Sequence, residues 1–182
     1  MATSNLVLIT GYAGSGKDEV GKILLEAGYK RYAFADLVKI HSSDKHGFDI
    51  ELTKTQEGKN TVVTSKFDQQ IATVRQFLID ESAFMKEVYN NPAFWALLLE
   101  KQIKELPPHN VVITDWRYEA ELNHFLEEFN LCTITKIRIH RDSVKPLTDP
   151  SEHNVDHIPC DHTIQNNGTL EELRNMVLAL GL

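Results

Sequence analysis

Two rhythms of apolar residues alternate along the chain. Short apolar runs recur, and after most of them apolar positions return every three or four residues. Leu6-Val7-Leu8-Ile9 is the first run, with the character of a strand buried on both faces. Val20, Ile23, Leu24 and Ala27 follow at spacings of three and four, which predicts a helix, and Gly28 is a natural stop. Residues 29–35 alternate enough for a second strand, and 36–46 read as a short helix fading into polar residues. Segment 49–65 is polar and without a period, and is expected to be a mobile or hairpin-like insertion. From about 70 to 106 the pattern is helical, with Ile71, Val74, Leu78, Met85 and Val88 on one stripe. Asn90-Asn91-Pro92 breaks it, Phe94, Trp95, Leu97, Leu98 and Ile103 mark a second helix, and Pro107-Pro108 closes the block.

Val111-Val112-Ile113-Thr114 is again a strand, and Leu122, Phe125, Leu126 and Phe129 predict the helix after it. Residues 132–139 form a strand, 140–161 a polar loop containing prolines, and 162–165 a short last strand. Thr169 and Glu172 make a capping box for a final helix facing inward through Leu170, Leu173 and Val177. This alternation predicts an α/β fold in three layers, a parallel sheet of about five strands with helices on both faces. No repeat, low-complexity tract or long linker divides it. A single domain is expected, with a core at about 1–47 and 107–182, a helical insertion at about 48–106 and a lid loop at about 140–161.

Chemistry concentrates at residues 11–18, G-Y-A-G-S-G-K-D, between the first strand and the first helix. Strand, glycine-rich turn and helix are the setting of a phosphate-binding loop. Gly11, Gly14 and Gly16 let the backbone approach a polyphosphate and turn N–H groups toward it. The helix start adds its positive end, and Lys17 adds a full charge. Gly11, Ala13, Gly14, Ser15, Gly16, Lys17 and Asp18 are therefore the candidate polyphosphate contacts. Asp18 stands where Ser or Thr usually meets Mg²⁺, and a carboxylate there can hold the metal directly or through water. The plain alternative is a tight glycine turn with a solvated lysine.

Length and composition narrow the classes. The chain has 182 residues, 42% hydrophobic and 25% charged, enough for a real core. No apolar run reaches the ~20 residues of a membrane span, and residues 1–5 are too short for a secretory signal. Two cysteines, Cys132 and Cys160, form no disulfide pattern, so a reducing, cytoplasmic setting is expected. A net charge of −7 argues against a duplex-binding protein, yet a few basic residues focused in a cleft suffice for a small phosphorylated ligand.

A second group of candidates follows from strand direction, because ligands of open parallel sheets sit beyond the carboxyl ends of the strands. Asp115 and Arg117 lie just past the 111–114 run, at the same end as Lys17. Asp115 could hold a Mg²⁺ water or cap the next helix, and Arg117 could grip a second phosphate. Arg75 sits on an otherwise apolar stripe and needs an anionic partner, either a protein carboxylate or a ligand phosphate. Arg138 and Arg141 flank His140 where a closing lid would start. His153, His157, Cys160 and His162 have donors for zinc, but lack a C-x-x-C or a knuckle, and surface histidines in a loop are the simpler reading.

These separated pieces resemble the deoxynucleoside monophosphate kinases of bacteriophages and large DNA viruses. The resemblance is carried by G-Y-A-G-S-G-K-D, T-V-R-Q-F-L around Arg75, N-P-A-F-W ending at Trp95, and I-T-D-W-R-Y-E-A-E at 113–121. S-E-H-N-V-D at 151–156 and I-Q-N-N-G-T-L-E-E-L near the C-terminus add to it. The resemblance implies a P-loop kinase that moves the ATP γ-phosphate to a nucleoside monophosphate with Mg²⁺, in a host cytoplasm if the chain is viral. By it, Lys17 would bridge donor and transferred phosphates, and Asp18 would serve the metal, beside the Asp115 already read as a candidate for it. Arg75 and Arg117 would bind the acceptor phosphate, Trp95 and Glu121 would lie near the acceptor nucleoside, and Arg141 would be a lid arginine. The lid has few arginines for this class, and segment 48–67 matches no known piece. Expected partners are small nucleotides, with neither nucleic acid nor membrane, and a homodimer is left open. Two rivals stand beside this reading: a phosphomevalonate- or dephospho-CoA-type kinase, and a nucleotide-binding regulator without transfer activity.

Overall fold

Runs of β-branched and aliphatic residues bury themselves most completely as central strands, and the first run does so. A computed structural model describes residues 5–146, 152 and 154–182. The chain runs β1 (Asn5–Thr10), α1 (Lys17–Glu26), β2 (Lys30–Tyr32), α2 (Phe34–His46), a 3-10 turn (Ile50–Lys54), α3 (Gln56–Lys59), β3 (Val62–Thr64) and β4 (Ile71–Thr73). It continues with α4 (Val74–Val88), α5 (Phe94–Lys104), β5 (Val111–Ile113), α6 (Glu119–Glu128), β6 (Thr133–His140), β7 (His162–Gln165) and α7 (Leu170–Leu178). The chain forms two compact units, one of residues 1–33 and 99–182, the other of residues 34–98.

The first unit holds the five-stranded sheet, in the order β2-β5-β1-β6-β7 with every pairing parallel. Val7 and Ile9 of β1 pack with Val112, Ile137, Ile139 and Ile164 under Val20, Ile23 and Leu24 of α1 and Leu173 and Val177 of α7. Leu6, Leu8, Val111 and Ile113 occupy the alternate positions and are equally buried, so the sheet is apolar on both faces. The predicted capping box is present: the Thr169 hydroxyl accepts from the Glu172 N–H, and the Glu172 carboxylate accepts from the Thr169 N–H. No helix among the described residues is long and apolar enough to cross a membrane.

The second unit departs from the sequence reading in register. Helix α4 begins at Val74, and Ile71 lies in β4, largely exposed. The reason is local: β4 pairs antiparallel with β3, and Thr73 ends the strand by accepting the Gln76 N–H on its hydroxyl, which starts the helix. The buried face of α4 is Val74, Phe77, Glu81 and Met85, while Val88 is exposed. A carboxylate occupies a core position because Lys45 and His41 on α2 approach it at 2.7 and 2.9 Å. The segment expected to be mobile or hairpin-like holds the 3-10 turn, α3 and the first strand of the β3–β4 hairpin. Sequence reading drew the helical insertion at 48–106, whereas the compact unit runs over 34–98.

Candidate active site

In the first unit, four loops leave the carboxyl ends of adjacent parallel strands. The loop after β1 carries 11–18, the one after β5 carries Asp115 and Arg117, and those after β6 and β7 carry Arg141 and Asn166. Gly11 and Gly16 are required by geometry. Both have positive φ, 148° and 106°, and a Cβ on Gly11 would meet the Ile139 carbonyl oxygen at 2.5 Å. A Cβ on Gly16 would collide with the Asn166 amide, which is buried and donates to the Ser15 carbonyl at 2.8 Å. Asn166 thus holds the loop from β7. It lies in the N-N-G-T run, where nothing in hydropathy marks it for this task.

The Lys17 ammonium arches back over the loop, donating to the carbonyls of Gly11 and Tyr12, both at 2.7 Å. Burial and the nearby Arg117 charge push its pKa down to about 8, against the upward pull of Asp18, Glu152 and Asp115. These residues therefore share one electrostatic neighbourhood. The Asp18 side chain is 78% exposed, with the Arg31 guanidinium 3.7 Å away. Asp115 is half-buried. It does not cap α6, because the carboxylate of Glu121 accepts from the Arg117 and Tyr118 N–H groups at 3.2 Å each. Glu121 is buried, and these two backbone contacts fix the approach of the 115–118 turn to α6. Trp116 N–H donates to the Ile9 carbonyl at 3.1 Å, tying the same turn to the end of β1.

A carboxylate that sequence reasoning missed completes the group. Glu152 is fully buried, and its Oε1 accepts from the Ala13 N–H at 2.9 Å and stands 3.1 Å from the Arg117 guanidinium. Next to it, the Tyr12 hydroxyl donates to Asp156, whose acceptor bond and charge push the Tyr12 pKa up to about 12. A lone glutamate in a polar loop gives no periodic signal, and only the resemblance through S-E-H-N-V-D touched it.

Other candidates fall elsewhere. Arg141 is exposed, beside an Asp142–Asn167 pair that links the loops after β6 and β7. Arg138 lies within β6 and donates to the Ile158 carbonyl. Of the lid loop expected at 140–161, residues 147–151 and 153 lie outside the described residues. His153 is one of these, and among the described residues no group of three or more His, Cys, Asp or Glu side chains is placed to hold a metal ion. Cys160 is partly buried, which pushes its thiol pKa up.

In the second unit, Arg75 turns away from the apolar face of α4. Its guanidinium donates to the amide oxygens of Gln56 at 2.6 Å and Asn60 at 3.4 Å, and no carboxylate pairs with it among the described residues. Of the two partners the sequence left open, a protein carboxylate is not found among the described residues. Trp95 is buried, its indole N–H donates to the Ser82 carbonyl at 3.1 Å, and its ring meets Phe94 edge-on.

No protein-family model and no curated protein sequence matches the chain. Solved structures do. A dephospho-CoA kinase from Campylobacter jejuni is similar at a TM-score of 0.53 and 17% identity, over 98% of this chain and 96% of that one. The protein TT1252 from Thermus thermophilus is similar at a TM-score of 0.51 and 16% identity, over 98% and 97% of the two chains. At these identities the likeness is one of fold: an α/β architecture around a parallel central sheet, shared over 98% of this chain.

Proposed function

We propose that the chain is an ATP-dependent phosphotransferase whose acceptor is a nucleoside or deoxynucleoside monophosphate. The observation that carries this reading is the meeting, in one electrostatic neighbourhood, of a glycine loop with a half-buried lysine and a second cation, Arg117, from the next strand over. One cation serves the donor phosphates and the other an anionic acceptor. Phosphoryl transfer asks little covalent chemistry of the protein, because charge spreads over equatorial oxygens and catalysis is positioning plus positive charge. A monophosphate oxygen is already anionic, so no general base is needed.

On this reading the loop amides and Lys17 hold the ATP phosphates, and Arg117 orients the acceptor phosphate. Arg75, whose partners are neutral amides, is a further contact for an anionic acceptor. Arg141 is proposed as a lid arginine over the transferring group, and Trp95 and Glu121 are each proposed as residues near the acceptor nucleoside. Mg²⁺ suits the donor set, since Asp18 and Asp115 offer hard oxygens and this ion binds through one or two carboxylates together with substrate phosphates and water. Asp18 and Asp115 would hold it, and it would supply charge neutralisation between the phosphates.

The likeness to a dephospho-CoA kinase favours a second reading, transfer to the hydroxyl of another phosphorylated metabolite. Such an acceptor must lose a proton, and a carboxylate would then act as base. A coupled ADP-release assay over a panel of ribo- and deoxyribonucleoside monophosphates, dephospho-CoA and phosphomevalonate decides between them. Turnover that requires a nucleoside monophosphate is expected. Turnover with a hydroxyl acceptor alone would move the assignment to the second reading, and ATP binding without any acceptor-dependent turnover would make the chain a regulator.

A further inference from the structure

The loop that should receive a polyphosphate already holds an anion supplied by the chain itself. One oxygen of Glu152 takes the Ala13 N–H at 2.9 Å and lies 3.1 Å from the Arg117 guanidinium, with the side chain wholly removed from solvent. A backbone amide of a glycine loop and an arginine from the neighbouring strand are the donors a phosphoryl oxygen would use. The adjoining loop residue, Tyr12, is clipped by its hydroxyl to Asp156, so two consecutive loop residues are bound by acidic side chains of one short segment. Among its described residues the Val155 N–H donates to the Glu152 carbonyl at 3.2 Å and the His157 N–H to the Asn154 carbonyl at 3.0 Å. We propose that Glu152 is a built-in competitor for the phosphate cradle, an internal carboxylate that a polyphosphate must displace to reach Ala13 and Arg117.

The physical reason is charge. A carboxylate and a polyphosphate cannot share two donors in a site shielded from water, because like charges at that separation repel strongly where screening is weak. Glu152 also gives the half-buried Arg117 and the Ala13 amide an acceptor when no ligand is bound. The exchange therefore regulates nucleotide affinity: the cradle stays satisfied, and ligands too small or too weakly charged to outbid the carboxylate are excluded. This rests on reading 11–18 as a polyphosphate cradle and Arg117 as a phosphate contact.

Magnesium pyrophosphate, which has the charge of the nucleotide tail and no base, is the probe, with binding followed by titration calorimetry. Glu152→Gln keeps the shape and an acceptor oxygen but removes the competing charge, and should bind the probe roughly ten-fold more tightly than the wild-type chain. Equal or weaker binding overturns the proposal, since it would make Glu152 a simple brace for Arg117. Melting curves show whether the variant folds. If it does not, Tyr12→Phe removes only the clip to Asp156 and should tighten probe binding by about two- to three-fold. No tightening in that variant overturns the proposal equally. The acceptor takes no part in this titration, so its result is independent of whether a nucleoside monophosphate proves to be the substrate.

Discussion

Lys17 keeps its charge against its surroundings, and that tension is measurable. Its pKa is pushed down to about 8, below the ordinary lysine value, chiefly by burial. The free protein should lose the ammonium as pH rises through about 8. The rate constant kcat/KM for ATP should therefore fall above that pH, whereas kcat should hold to higher pH because bound phosphates restore the charge. A flat kcat/KM profile from pH 7 to 10 would remove Lys17 from phosphate binding. The sign for stability is opposite. The folded pKa lies below the unfolded one, so the unfolded chain binds the extra proton between pH 8 and 10.5, and stability rises across that window. Lys17→Met should lower kcat by at least ~10³-fold and yet melt no lower than wild type at pH 7. Asp18 is the other residue to test. Its exposed carboxylate faces Arg31 at 3.7 Å, and Asp18→Ala should raise the Mg²⁺ concentration needed for half-maximal turnover more than it weakens metal-free ATP binding. Superimposable Mg²⁺ titrations would leave Asp18 as an acid in the first turn of α1.

Among the elements, those whose pattern comes from burial alone were legible in the sequence. The strands at β1, β5 and β6, the helices α1, α6 and α7 and the Thr169–Glu172 box needed only an apolar run or a short capping signature, although Leu170, read as facing inward, is exposed in the first turn of α7. Helix α4 was legible as a helix but not in register. Its stripe was drawn through Ile71 and Val88, because hydropathy cannot place a glutamate in the core. Glu81 is nonetheless 2% exposed, with Lys45 at 2.7 Å and His41 at 2.9 Å tying α2 to α4. A buried charge is tolerated only with such partners, and they lie 36 and 40 residues away in sequence, beyond any local window. Glu81→Ala should destabilise the helical unit by about 3 kcal/mol, the low end for breaking a buried pair, because Lys45 can still reach solvent. Urea unfolding checks this, and a loss under about 1 kcal/mol would show that the pair only balances its own desolvation. The site divided in the same way. Gly11, Gly16 and Lys17 announced themselves by spacing, while Glu152 and Asn166 act through tertiary contacts that spacing does not encode.

On the scale of the whole molecule, the alternation of strands and helices was enough to give a parallel sheet, and the rule for such sheets directed attention to the candidate residues at its carboxyl end. The acceptor residues were assigned to two parts of the chain, and the structure keeps them in two compact units, Arg117 in the sheet unit and Arg75 in the helical one. Each can be tested by itself. Arg117 is paired with the buried Glu152 at 3.1 Å, so its loss should affect both function and stability. Among the described residues, the amide oxygens of Gln56 and Asn60 are what Arg75 has on its guanidinium, so little folding energy depends on its charge. Arg75→Ala should leave the melting temperature within about 2 °C of wild type, in keeping with a half-exposed side chain whose partners are neutral. Its functional cost should be selective. A charge-assisted contact to phosphate contributes about 1.5–3 kcal/mol, so KM for the monophosphate should rise roughly ten- to a hundred-fold while KM for ATP stays nearly constant. Arg75→Lys should recover only part of this, because a point charge replaces a planar fork that the two amides hold in place. Measuring both KM values beside the melting temperature settles the role of this residue. If KM for ATP and monophosphate rise together, or neither moves, Arg75 is no acceptor contact and serves to hold α3 against α4.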